Sequence, residues 1–168
     1  FIILKPITNP KKMSNKQSRR KFIRNSATAA AVISIPSIIP AHAFGANDRI
    51  NAAVLGVNGR GKSHIKGLMV QDNVQVTTLC DPDMNLLKIR QESFKETYDK
   101  DVALEQDLRK VMDNKDIDVV SIATPNHWHA LSVIWACQAG KDVYVEKPGS
   151  HNIYEGRKMV EAATKYDR

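Results

Sequence analysis

Residues 49–69, RINAAVLGVNGRGKSHIKGLM, constrain the fold more than any other stretch of the chain. A short apolar run ends in glycines Gly56, Gly59 and Gly61. The next segment then places Ile65, Leu68 and Met69 at helical spacing. That pattern is a buried strand, a tight turn and a helix start, where backbone N–H groups and a helix N-terminus hold phosphate. Two signatures overlay it. Gly56, Gly61, Lys62 and Ser63 complete a Walker A pattern, which points to ATP or GTP. Gly56, Asn58 and Gly61 match a dinucleotide fingerprint whose middle glycine is Asn58, which points to NAD or FAD.

Context separates the two. A dinucleotide site needs an acid about 20 residues further on, closing the second strand, to bind ribose hydroxyls. Asp81 follows VQVTTLC and stands there. A P-loop enzyme needs an acid closing an apolar strand and a group that positions water. Asp81 could mimic the first, but the most apolar strand, VVSIA, runs into Thr124 and Pro125 with no acid. The context favours the dinucleotide. Gly56 then makes the turn and Gly61 lets helix and strand pack closely. Asn58 tolerates a left-handed backbone, with Gly59 beside it to take the close approach. Asp81 repels a 2′-phosphate, so NAD is expected over NADP. Arg60 could partly offset that repulsion.

The rest of the chain alternates. Strands are expected at 74–81, 117–124 and 142–146. Helices are expected at 62–71, 82–98 (Pro82 in its first turn), about 105–113, 127–139 (stopping at Gly140) and 153–166 (capped by Asn152 with Glu155). Continuous apolar strands between amphipathic helices predict an α/β fold, a doubly wound parallel sheet of the Rossmann type.

Charge is uneven. The chain of 168 residues has a formal net charge of +7, but residues 1–24 hold eight lysines and arginines and no acid. The other 17 basic residues face all 18 acidic ones. A near-neutral domain behind a basic leader points to targeting and away from nucleic acid. From Met13 the order is basic, then modestly apolar, then AHA, as in a signal peptide cleaved after Ala43. Arg19 and Arg20, followed by Lys21 and Phe22, resemble the twin-arginine export consensus. The apolar run is too short for a membrane span and is broken by Pro36 and Pro40. Residues 1–12 are read as an upstream extension, 13–43 as the signal and 44–168 as the dinucleotide-binding domain, cut off at its C-terminal end. Cys80 and Cys137 are expected to be buried small hydrophobes rather than a disulfide framework. His127 and His129 do not point one way and lack a third ligand nearby, so no metal is expected. His64 and His151 are read as surface or packing residues, and Trp128 and Trp135 as core.

The distal half carries VVSIATPNHWHA and then AGKDVYVEKPGSHNIYEGRKM. From about Arg49 to Arg168 the sequence resembles the Gfo/Idh/MocA family of oxidoreductases, most specifically at Glu146, Lys147 and Pro148. The resemblance implies a Rossmann domain that binds NAD(P), followed by an α/β domain, absent here, that binds a sugar or cyclitol. It places Thr124, Pro125 and Asn126 on the loop at the nicotinamide end, and Glu146 and Lys147 beside the nicotinamide. His127 and His129 are read as helix capping and packing at the cofactor cleft, with His129 the better candidate for a contact. Lys147 becomes the catalytic residue, a partly desolvated ammonium with a lowered pKa that serves the reacting hydroxyl. The expected protein is an exported, periplasmic NAD(P)-dependent oxidoreductase that forms homo-oligomers through the absent domain. Two alternatives stay open: an NAD-dependent glycoside hydrolase acting by transient oxidation and elimination, and a non-catalytic cofactor- or sugar-binding protein.

Overall fold

The computed structural model describes residues 49–168. The basic leader, its paired arginines and the cleavage expected after Ala43 lie outside the described residues. No described helix is long and apolar enough to cross a membrane.

Five strands are β1 (Ile50–Leu55), β2 (Val74–Cys80), β3 (Ala103–Glu105), β4 (Val119–Ile122) and β5 (Asp142–Val145). Five α-helices are α1 (Gly59–Met69), α2 (Met84–Tyr98), α3 (Leu108–Asp113), α4 (His129–Gln138) and α5 (Ile153–Tyr166). The strands form one sheet in the order β3-β2-β1-β4-β5, and every pairing is parallel. Each crossover carries at least one helix, so both faces are covered and β1 is buried throughout its last four residues. Pleating splits that strand between two cores. Ala52 and Val54 pack with Ile65 of α1 and with Leu87 and Phe94 of α2. Ala53 and Leu55 pack with Val111, Val133, Ala136 and Ala162 from α3, α4 and α5. This is the doubly wound Rossmann arrangement that the alternation predicts.

Three local expectations change. Pro82 is not in the first turn of α2. Asp83 is the N-cap, and its carboxylate accepts from the N–H groups of Asn85 and Leu86. The segment before α3 contains β3, whose three residues are too few to show a period and are held by pairing with Thr78, Leu79 and Cys80. A short 3-10 turn, Asn126–Trp128, precedes α4, so the helix starts at His129. Other local readings stand. Gly140 follows α4 with φ +77°. Asn152 caps α5 by accepting from the Glu155 N–H at 2.9 Å. Cys80 and Cys137 are buried, and burial pushes the Cys80 thiol up to about 12, with Glu105, Asp81 and Asp107 adding to the effect.

One buried cation holds the far end of the sheet. Lys141, only 2% exposed, donates to the carbonyls of Asn114 (2.6 Å) and Ile117 (2.9 Å). It ties the α3–β4 loop to the entry of β5. Burial, then the neighbouring Lys115, lowers its pKa below the ordinary lysine value. Lys141→Met keeps the stem and strands both carbonyls. It is expected to cost about 2 kcal/mol of stability, read by urea unfolding, whereas exposed Lys88→Met should change stability by less than about 0.5 kcal/mol.

Candidate functional site

The strand order reverses between β1 and β4. In open parallel sheets the crevice beyond the carboxyl ends of the strands at that point is where ligands bind. Here it is a cleft of about 1170 Å³. The glycine turn forms its floor. Gly56 has φ +79°, and a Cβ there would lie 2.7 Å from the carbonyl oxygen of Ala123, just past β4. A Cβ on Gly61 would overlap the carbonyl oxygen of Gly56. These two glycines let the start of α1 sit directly on the ends of β1 and β4. Asn58 departs from expectation. Its backbone is extended (φ −86°, ψ 178°), and its neighbour Gly59 takes a positive φ of +37° instead. No atom lies within 4 Å of where a Gly59 Cβ would stand, so the close approach passes to that residue.

The Walker A reading fails on position. α1 begins at Gly59, and Lys62 and Ser63 are exposed and lie off the cleft wall. Neither can cradle a phosphate held at the helix start.

Asp81 directly follows β2 on the cleft wall. One carboxylate oxygen accepts from the Val57 N–H and the other from the Asp83 N–H, each at 3.1 Å. The carboxylate is fixed against the glycine turn and keeps lone pairs for ribose hydroxyls. Arg60 does not serve Asp81. Its Nε donates to Glu146 at 2.9 Å, so its charge is directed toward β5. The wall beyond Asp81 holds residues that motif reading misses: Asp83, Leu86, Gln106, Asp107 and Arg109. Asp83 and Leu86 come with the start of α2, and Gln106, Asp107 and Arg109 follow β3, whose pairing carries no sequence signature. Arg109 is locked on Asp107 by contacts of 2.6 to 3.1 Å, and that pairing holds the Asp107 carboxyl down to about 2.

At the opposite end the loop after β4 brings Thr124 and Pro125 to the wall, and Asn126 opens the 3-10 turn behind them. The hydroxyl of Thr124 is buried without a partner among the described residues, a polar atom left for a ligand. Trp128 is 42% exposed and lines the cleft, contrary to a core role, because the 3-10 turn swings it off the helix face. His127 is exposed. His129 is buried. Its two ring nitrogens lie 2.8 Å from the carbonyl oxygens of Pro148 and Thr124, so its polar edge is used within the protein and not turned to the cleft.

Glu146 and Lys147 follow β5, before a cis Lys147–Pro148 bond. Lys147 is exposed, so the described residues do not supply the desolvation expected for it. Glu146 is the hub. His64 Nε2 lies 3.0 Å from one carboxylate oxygen, Arg60 donates to the same oxygen, and the Lys147 N–H donates to the other at 3.1 Å. These bonds, His64's first, hold its carboxyl down to about 2 against an ordinary 4.5. His64 is therefore neither a surface residue nor mere packing. A carboxyl depressed in the native state adds stability that is full above its unfolded value and is lost as pH falls through the native one. Glu146→Gln is expected to flatten the pH–stability profile between about 4.5 and 2, read as thermal midpoints across that range.

The structure thus brings Gly56, Asn58, Gly59, Arg60, Asp81, Thr124 and Pro125 onto one wall, with Glu146 joined through Arg60. Gly61 packs beneath the turn. Lys147, Asn126 and His129 stand off the wall. An open glycine turn, a fixed carboxylate and an orphaned hydroxyl suit a dinucleotide laid across the switch point. The model of an oxidoreductase family with an NAD-binding Rossmann fold, Gfo/Idh/MocA, matches residues 50–168. The chain belongs to the Gfo/Idh/MocA family. The NAD-binding domain of that family is the part described here.

Gfo/Idh/MocA relatives agree with this and show how much of a protein the chain represents. It is 35% identical over 135 residues to a glycosyl hydrolase family 109 protein of Stenotrophomonas maltophilia, covering 76% of this chain and 29% of that one. It resembles the WlbA dehydrogenase of Chromobacterium violaceum, solved with NADH and UDP-GlcNAcA, with TM-score 0.65 and 26% identity over 82% of this chain and 36% of that one. It also resembles myo-inositol 2-dehydrogenase of Lactobacillus plantarum, with TM-score 0.60 and 25% identity over 70% of this chain and 34% of that one. The chain spans about a third of the length of these Gfo/Idh/MocA proteins.

Proposed function

We propose that this chain is the cofactor-binding part of an exported NAD(P)-dependent oxidoreductase acting on a sugar, a sugar derivative or a cyclitol. The observation that carries the reading is the placement of Lys147. It directly follows Glu146, whose carboxylate is tied to the first turns of α1 at Arg60 and His64. When bound, NAD supplies a hydride acceptor for a carbinol carbon. The glycine turn and the start of α1 hold its pyrophosphate, and Asp81 its adenosine ribose. Thr124 and Pro125 border the nicotinamide end. Lys147 hydrogen-bonds the substrate hydroxyl and stabilises charge that builds on its oxygen, while the hydroxyl proton passes to a second acid/base group in a domain beyond residue 168. The relatives solved with a UDP-sugar or named for myo-inositol support the substrate class. Passage to the periplasm by the twin-arginine machinery rests on Arg19, Arg20 and the AHA site before residue 44, and self-association on a domain beyond residue 168.

A second reading has its own support, since the Stenotrophomonas relative is named a glycosyl hydrolase. In that reading the cofactor is oxidant and reductant in one cycle, and a glycoside is cleaved by elimination. One experiment separates the two. The full-length protein, stripped of cofactor, is titrated with NAD, NADP and Mg-ATP and then assayed on free sugars, myo-inositol and p-nitrophenyl glycosides. NAD binding with NADH formed in proportion to product supports the dehydrogenase. Nitrophenol release without net NADH supports the hydrolase. Mg-ATP binding in place of NAD overturns both.

A further inference from the structure

Ser121, His64 and Glu146 form a chain of polar contacts that looks like a hydrolase triad. Ser121 Oγ lies 2.9 Å from His64 Nδ1, and His64 Nε2 lies 3.0 Å from Glu146. It cannot work as one. Ser121 is in the middle of β4 and 3% exposed, so no substrate reaches its hydroxyl. The use of such an arrangement lies at its other end.

Donor chemistry fixes its direction. Glu146 is ionised and only accepts, so His64 Nε2 carries the proton and donates. Nδ1 is then free to accept from the Ser121 hydroxyl. The His64 ring is 7% exposed overall and stands edge-on to Tyr144, with centroids 5.3 Å apart. The imidazole is held on three sides and presents one N–H to one carboxylate oxygen. The other oxygen accepts the backbone N–H of Lys147. On the far side of Lys147, His129 Nδ1 lies 2.8 Å from the carbonyl oxygen of Pro148. His129 Nε2, also at 2.8 Å, faces the carbonyl of Thr124 on the loop after β4. Residues 146–148 are thus gripped just before and just after the exposed lysine, each time through a buried imidazole. One grip comes from α1, which starts at the glycine turn. The other comes from α4, which follows the nicotinamide-end loop.

We infer that His64 and His129 are positioning residues that hold the backbone of Lys147 in register with the cofactor turn. His64 acts through Glu146 and His129 through Pro148. The functional consequence rests on the reading of Lys147 given above; the grip itself does not. Arg60 makes the third bond to Glu146 from an exposed position, with its side chain 64% accessible. His64 is the buried partner, with its side chain 4% accessible.

The test uses the full-length protein and hydrogen exchange of the Lys147 amide, whose proton is the one Glu146 accepts. His64→Phe keeps the aromatic packing on Tyr144 and removes both ring nitrogens. It is expected to speed exchange in peptides covering 145–149 by about tenfold or more, the scale of one charge-assisted bond, with β1 and β2 unchanged. His64→Gln, which restores a donor, is expected to recover most of that protection. His129→Phe is expected to speed exchange both at 148–150 and at 124–126. Exposed His151→Gln should do neither. In the unsubstituted protein, nitrogen NMR should show a slowly exchanging proton on His64 Nε2. Unchanged exchange at 145–149 in His64→Phe overturns the inference. So does failure of His64→Gln to restore protection in a folded protein, or a proton found only on Nδ1. NAD titration of the same samples tests the cofactor reading separately. Protein that binds no NAD yet shows the expected exchange pattern removes the oxidoreductase and leaves the grip.

Discussion

Lys147→Ala in the full-length protein is expected to lower turnover about 100- to 1000-fold while leaving the NAD Kd within about twofold. The two halves of that expectation come from different observations. Lys147 lies off the wall formed by Gly56, Asp81 and Thr124, so removing its side chain takes nothing from the surface that holds the cofactor. Its side chain is exposed, and its one hydrogen bond among the described residues is made by its backbone, so the ammonium is left for a substrate. A group bound mainly in the transition state lowers kcat when deleted, and one that binds cofactor raises Kd. Steady-state rates on the sugar panel and NAD titration together decide the matter. Unchanged turnover removes the lysine from the chemistry, and a large loss of NAD affinity makes it a binding residue.

Gly61→Ala is expected to be the most damaging small substitution in the domain. Its Cβ would overlap the carbonyl oxygen of Gly56, which is backbone and cannot rotate away. α1 would have to lift from β1. The estimated cost is about 3 kcal/mol, enough to lower the thermal midpoint by roughly 10 °C, and the NAD affinity should fall at least about tenfold as the helix start loses its aim. Gly59→Ala is the internal comparison. It meets no atom within 4 Å and carries only the strain of φ +37°. Its cost should stay near 1 kcal/mol. Melting curves and NAD titrations of the pair check the order, and a milder Gly61→Ala would mean that the helix packs less closely on the strand than described.

Features that depend on a few consecutive residues were legible in the sequence. The glycine turn, Asp81 at the end of β2, the Asn152 cap and the stop at Gly140 each follow from local backbone needs, and the alternation of apolar strands with amphipathic helices indicated the sheet. Features made by distant partners were not. His64 sits on a helix face beside Ile65, and nothing nearby says that Ser121 and Glu146, 57 and 82 residues away, complete its bonds. β3 is three residues long and exists because β2 pairs with it. Trp128 has the composition of a core residue, and a 3-10 turn sends it to the cleft. Asn58 kept an extended backbone because Gly59, next to it, takes the left-handed conformation at far lower cost.

Arg109 has one further consequence. Beyond Asp81 the wall has a single arginine, and Asp107 already takes its Nε and one of its two terminal nitrogens. A 2′-phosphate there would meet Asp81, Asp83 and Asp107 beside an arginine already engaged in an ion pair. Cofactor choice in such a wall is a matter of charge balance rather than shape. Losing the half-buried Asp107 carboxylate would release the arginine, at the cost of the α3 N-cap.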